Sequence, residues 1–344
     1  MTRSRRLLIA LLCTCCPLFA QSAVASAHPL VGLGDNKTQL FSDPRFLALG
    51  ITQVRYDMPW DALTATTYSG NYESTRLQQW LTMAQQDGLT PLITFDHSSL
   101  SGHAGKLPTV KQYSAAFVKF HELYPWVTEF VTWDESNFHG EPTWNHPTLV
   151  AQYYKALRKD CPSCTILAAE LLDVPRSNGG VPIKQYTHAM IHYLHSQPGY
   201  WGINNYVGAN TLSTTTTKQL LHAVTGKIWF TETAGLVSRH NSSHVHFTQN
   251  ATHAATVDKF ILTKLAGLSP RIQRVYLYEW NAMTSYDSWD SALISWTGVP
   301  RPAYDVLANT LDSWGIKPNC ALSNVPPACA ASGATGASGP SGSS

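Results

Sequence analysis

Two glutamates in this 344-residue chain stand where a pair of carboxyl groups could act on one bond: Glu135 in WDESN and Glu232 in TETAG. Each follows or ends a short apolar run, VTEFVTW for the first and KIWFTE for the second. An acid at the end of a buried strand costs free energy unless it is paired or used. Two carboxyls flanking one bond supply what cleavage of a glycosidic bond requires. One is protonated to assist the leaving oxygen; the other is ionised to attack or to activate water. WDESN raises a second question, because Asp134 stands directly beside Glu135. Adjacent residues of a strand point to opposite faces, so both enter one cleft only if the strand end bulges. An ionised Asp134 close to Glu135 would raise the pKa of Glu135, which favours an acid catalyst. The alternative is that Asp134 pairs with an arginine such as Arg55.

The elements that must position these groups are legible as alternation. Strand candidates are PLVGLG, ITQVRYD, PLITFD, VTEFVTW, TILAAEL, YWGINNY, KIWFTE and RVYLYEW. Between them lie stretches such as YESTRLQQWLTMAQQDG, VKQYSAAFVKFHELY, HPTLVAQYYKALRKD and THAATVDKFILTKLAG, whose apolar residues recur at three and four. PAYDVLANTLDSW would be the last helix. Eight strands, each followed by a helix or helix-like segment, predict an α/β fold: a single (β/α)8 TIM barrel. A doubly wound open sheet is the alternative, but its phosphate loop is missing; VGLGDNK lacks the third glycine. In a barrel of this kind, chemistry sits at the C-terminal ends of the strands. There the chain places Arg55, Tyr56, Asp57 and Trp60; Asp96 and His97; Asp134, Glu135 and Asn137; Asn204, Asn205 and Tyr206; Glu232; and Glu279, Trp280 and Asn281. No Ser-His-Asp pattern and no H-E-x-x-H accompanies them. The chain has 11 Trp and 15 Tyr, several at these rim positions, and flat aromatic faces pack on sugar C–H faces.

Bulk properties narrow the rest. Residues 1–27 read as a secretory signal peptide: Arg3, Arg5 and Arg6, an apolar run, then Ala25 and Ala27 at A-x-A spacing. Removing those three arginines from 24 basic residues leaves 21 against 22 acids, a net charge of about −1. That gives no electrostatic case for nucleic acid or an anionic membrane. Four of the seven cysteines follow the signal, and an even count in an exported chain predicts disulfides Cys161–Cys164 and Cys320–Cys329. His188, His192 and His195 share a helical face without a carboxylate and read as an exposed face, not a metal site. His240, His244 and His246 read as a polar loop. Glu279 reads as lining, not catalyst. The tail ASGATGASGPSGSS repeats glycine every third residue but is too short for a triple helix.

The order of these motifs resembles clan A glycoside hydrolases, retaining (β/α)8 enzymes, and is similar to bacterial family 39 and family 5 members. Trp133, Glu135 and Asn137 of WDESN match the clan's Trp-Asn-Glu-Pro-Asn signature. The resemblance implies that Glu135 is the acid/base and Glu232 the nucleophile. It implies that Arg55 and Tyr206 orient Glu232 and hold it ionised, and that Trp280 floors the sugar subsite. The chain departs from the pattern at Asp134, where the clan has Asn, at Ser136, where it has Pro, and at Asn204, where His is common. Asp134 would then replace the amide as acceptor of the sugar 2-hydroxyl.

The resulting expectation is a secreted or cell-envelope retaining O-glycosidase acting on a polysaccharide or oligosaccharide. Its catalytic residues are Glu135 and Glu232, and its substrate-binding residues are Arg55, Trp60, His97, Asp134, Tyr206 and Trp280. It needs no cofactor and no metal. Its partner is a carbohydrate, with no nucleic acid, no membrane span and a single subunit. The catalytic barrel spans 28–316, and 317–344 is a disulfide-containing extension with a disordered tail. The alternatives are a non-catalytic carbohydrate-binding barrel and an inverting or transglycosylating enzyme.

Overall fold

The computed structural model describes residues 28–65, 72–240 and 246–318. The signal segment, the expected Cys320–Cys329 disulfide and the glycine-rich tail lie outside the described residues. The strands are β1 (Leu30–Gly34), β2 (Gln53–Pro59), β3 (Thr90–Asp96), β4 (Glu129–Val131), β5 (Thr165–Leu167), β6 (Glu170–Leu172), β7 (Tyr200–Asn204), β8 (Lys227–Thr233), β9 (Ser238–Arg239), β10 (Ile272–Tyr278) and β11 (Trp289–Asp290). Nine of them form one parallel sheet in the order β5-β4-β3-β2-β1-β10-β8-β7-β6. The two ends of that order, β5 and β6, are halves of the single run TILAAEL, separated only by Ala168 and Ala169. The first half pairs with β4 and the second with β7. The sheet therefore closes on itself, and the nine segments are the eight strands of a barrel, as the alternation predicts.

The helices follow the strands. After β1 come two short ones, α1 (Gln39–Ser42) and α2 (Pro44–Ala48); then α3 (Tyr72–Gln86), α4 (Val110–Leu123), α5 (Pro147–Asp160) and α6 (Ile183–Leu194). After β7 lie α7 (Tyr206–Asn210) and α8 (Thr215–Ala223); α9 (Ala251–Phe260) follows β8 and α10 (Pro302–Ser313) follows β10. Each long helix buries one stripe against the barrel: Leu77, Trp80, Leu81 and Ala84 on α3, and Tyr113, Ala116, Phe117 and Phe120 on α4. Local chemistry sets their starts. Thr109 and Gln112 form a capping box on α4, and Pro147 and Pro302 open α5 and α10. The predicted helix 252–267 stops being regular at Phe260 and continues as a π-turn over Ile261–Leu265.

Inside the barrel, Leu92, Val131, Leu167, Trp229 and Tyr276 pack together. Gly32 makes room for Tyr276, since a Cβ there would stand 2.5 Å from its ring. Below this layer Arg274 bonds Glu129 and Gln53 and lies over the Trp229 ring at 4.0 Å. Charge, cation–π contact and packing together plug the end opposite the site. Cys161 and Cys164 form the predicted disulfide at the end of α5. No helix among the described residues is long and apolar enough to cross a membrane.

Candidate active site

One cation organises the C-terminal mouth of the barrel. Arg55 on β2 is 1% exposed, so its charge has no water to offset it. Its guanidinium reaches Glu232 Oε2 at 2.6 Å, Glu170 Oε1 at 2.6 Å, Asp57 Oδ2 at 2.8 Å and Asp134 Oδ1 at 3.2 Å, while Nε donates to Thr94 Oγ1 at 3.1 Å. Burial alone would lower the Arg55 pKa. The four carboxyl groups outweigh burial and hold it well above its ordinary value. These partners come from β2, the loop after β4, β6 and β8, so closure of the barrel is what brings them together.

WDESN is shaped by leaving its strand early. Regular pairing of β4 ends at Val131, two residues short of the predicted run. The segment is then held by single bonds to both neighbours: Asp134 N donates to Phe95 O and Ser136 N to Glu170 O, each at 2.8 Å. Glu135 sits at φ +33°, a conformation rare outside glycine. This irregular backbone, not a regular strand, lets Asp134 and Glu135 both serve the mouth. The other residues of the motif are structural. Trp133 is fully buried, stacks on Tyr153 and donates to Glu141 Oε2 at 3.0 Å. Asn137, also fully buried, spans to Leu172 and Val181 backbone groups.

Glu135 and Glu232 occupy different environments within one pocket. Burial pushes the Glu135 carboxyl well above the usual range, and its next strongest influence is Glu232, followed by Glu141 and Glu170. Asn204 Nδ2 lies 3.5 Å from Glu135 Oε1. Glu232 instead receives two donors: Arg55 on Oε2 and the Tyr206 hydroxyl on Oε1 at 2.9 Å. Burial, then Glu232, push the Tyr206 hydroxyl well above the ordinary phenol range, so it stays a donor. The Tyr206 ring meets Trp289 edge-on at 4.8 Å. Trp289 belongs to β11, whose antiparallel pairing with β9 ties together the loops after β8 and β10.

The structure thus unites Arg55, Asp134, Glu135, Tyr206 and Glu232. His97 stands apart from Glu232 in a local network, with Nδ1 2.8 Å from Asp96 and 2.9 Å from Glu141. Hydrogen bonds to Asp96 and Glu141 raise its pKa to about 10, so it is an imidazolium at neutral pH. Trp60 is half-buried and packs against the barrel–helix core. Trp280 corrects the sequence reading: it is 1% exposed, packs edge-on against Phe46 and Tyr304, and donates to Asp43 at 3.2 Å. A ring so enclosed cannot floor a sugar site. Tyr278, two residues earlier, is half-buried beside Arg55 over Gly34, and burial, Glu279 and Glu232 all raise its hydroxyl pKa. Strand alternation would put residues 278 and 280 on one face; the exchange arises because β10 ends at Tyr278 and Trp280 lies beyond the regular strand.

Sequence reasoning passed over Glu170, whose signal was an acid inside the otherwise apolar run TILAAEL. It also passed over Asp173, which is buried and accepts from Val207 N at 2.8 Å and Gly208 N at 2.6 Å, anchoring the turn that carries Tyr206. Glu279 pairs with Lys37, which also meets Asp35 at 3.1 Å, in agreement with a lining role. His188, His192 and His195 lie on an exposed face, as read from the sequence.

No family model matches the chain, and no curated protein matches it. Solved structures do share its fold. A family 39 glycoside hydrolase from the gut symbiont Bacteroides cellulosilyticus WH2 superposes with TM-score 0.55 at 16% identity over 84% of this chain, which spans 64% of that protein's length. A GH5_18 protein from Streptomyces cattleya, in complex with GlcNAc, gives TM-score 0.58 at 15% identity over 84% of this chain and 80% of that one. Xylanase 10B from Thermotoga maritima gives TM-score 0.56 at 10% identity over 83% and 95%. The fold is therefore a (β/α)8 barrel of the kind found in clan A glycoside hydrolases.

Proposed function

We propose that this protein is a secreted retaining O-glycoside hydrolase acting on a polysaccharide or oligosaccharide. The observation that carries the reading is the asymmetry of its two mouth carboxyls: Glu135 has a raised pKa and only the Asn204 amide 3.5 Å away, whereas Glu232 is clamped by Arg55 and Tyr206. That division of labour separates an acid from a nucleophile. Glu232 attacks the anomeric carbon and forms a glycosyl-enzyme, while Glu135 protonates the departing oxygen. Glu135, now ionised, takes a proton from the water that releases the sugar, which restores both groups. Likeness to an endo-1,4-beta-xylanase and a beta-xylosidase favours a β-linked substrate. The signal-like residues 1–27 and the Cys161–Cys164 disulfide support export.

A polysaccharide screen with product analysis tests the reading. Glu232→Ala should abolish hydrolysis of any accepted glycan; full activity in that variant would remove Glu232 from the mechanism. Proton NMR of the first-formed product should show retained anomeric configuration, and an inverted product would exclude the covalent route.

A further inference from the structure

Asp134 Oδ1 and Glu170 Oε1 meet the same Arg55 nitrogen, Nη2, at 3.2 Å and 2.6 Å. Ionised carboxylates are acceptors only, so two that share one donor nitrogen repel each other unless one carries a proton. The surrounding charge requires one too: the single Arg55 cation lies within 3.2 Å of the carboxyls of Asp57, Asp134, Glu170 and Glu232. Geometry says which partner carries it. Arg55 Nη2 is 2.6 Å from Glu170 but 3.2 Å from Asp134. Glu170 also accepts from Thr94 Oγ1 at 3.3 Å. More donors and the shorter ion pair favour the anion on Glu170 and the proton on Asp134.

We infer that Glu170 is a positioning residue, which accepts the proton of Asp134 in a hydrogen bond and so keeps Asp134 neutral beside Glu135. An uncharged carboxyl presents both a hydroxyl and a carbonyl oxygen. Asp134 can therefore stand where clan A enzymes carry an amide without adding a negative charge to the pocket. The groups facing it are Arg55 and Asp57 from β2, Asp96 from β3, Glu135 from its own loop and Glu170 from β6, while Glu232 from β8 shares Arg55 with it. Burial, then Glu170, Asp57, Glu135 and Asp96, push Asp134 well above the usual carboxylate range, in keeping with that placement. The catalytic consequence rests on the glycosidase reading; the proton pair does not.

The test is carbon-13 NMR of protein labelled at aspartate Cγ, with the Asp134 signal identified by its loss in Asp134→Asn. In the wild type this signal should report a protonated carboxyl at neutral pH. In Glu170→Gln the Arg55 Nη2 loses its closest anion and turns to Asp134, whose titration should move down by at least one pH unit, a tenfold fall in proton affinity. Thr94→Val should move it in the same direction, which keeps the question open to measurement if Glu170→Gln fails to fold. An ionised Asp134 at neutral pH in the wild type, or a titration that both variants leave in place, would overturn the inference. The readout is not hydrolysis, so an inactive protein would count against the glycosidase reading alone.

Discussion

Tyr206 and Glu232 are joined by a hydrogen bond of 2.9 Å, donated by the phenol to Oε1. The bond fixes the carboxylate's orientation, because Arg55 already holds the other oxygen. Removing the hydroxyl while keeping the ring should cost about 10²-fold in kcat with little change in KM, the scale seen when one preorganised donor is lost. The variant is Tyr206→Phe, whose ring keeps its edge contact with Trp289. Unchanged kcat would show that Arg55 alone orients Glu232.

Glu135 supplies the pH dependence. Its folded pKa is raised, so the protonated form persists well above the ordinary carboxyl range. Hydrolysis should therefore fall on the alkaline side as Glu135 ionises, and the fall should lie well above the ordinary glutamate pKa of 4.5. Glu135→Gln should lower kcat/KM by about 10²–10⁴-fold and abolish that alkaline limb. Persistence of the limb in this variant would assign it to another group.

Trp280 and Tyr278 should separate stability from activity. Trp280→Ala empties a buried site and should cost about 3–5 kcal/mol in denaturant unfolding. Tyr278→Leu should leave stability within about 1.5 kcal/mol and weaken substrate binding, read as a raised KM. The reverse pattern would return the sugar floor to Trp280.

Asp258 offers a stability test away from catalysis. It is 1% exposed on α9 and accepts from Gly235 N, the last residue of TETAG, at 2.7 Å. Its Oδ2 has no hydrogen-bond partner among the described residues. Burial raises its pKa from 3.8 to about 8, so the folded state binds the extra proton. Stability is then highest on the acid side and declines as pH rises towards about 8. Asp258→Asn should match the wild type near about pH 4 and gain on it by about 1 kcal/mol per pH unit up to about pH 8, measured by urea unfolding. A constant difference across that range would refute the burial of a titrating acid there.

Much of the scaffold was written locally. Period-two and period-three-to-four patterns are imposed by nearest-neighbour geometry, so eight strands and their helices could be read before any contact was known. The same holds for Glu135 and Glu232, since a strand end in a barrel has only one mouth to reach. Trp280 could not be resolved this way. Its side follows from how the backbone leaves β10, and Phe46, Asp43 and Tyr304, which enclose it, lie far off in sequence.

Asp134 shows the boundary most clearly. The sequence by itself determined that an acid stands beside Glu135, and left open whether it serves substrate or pairs with Arg55. The tertiary structure placed it on the same Arg55 nitrogen as Glu170, a residue 36 positions away in sequence that enters the pocket from another strand. Type and spacing are local properties of a chain. Protonation depends on burial and on charges gathered from β2, β6 and β8, and only closure of the barrel brings those together.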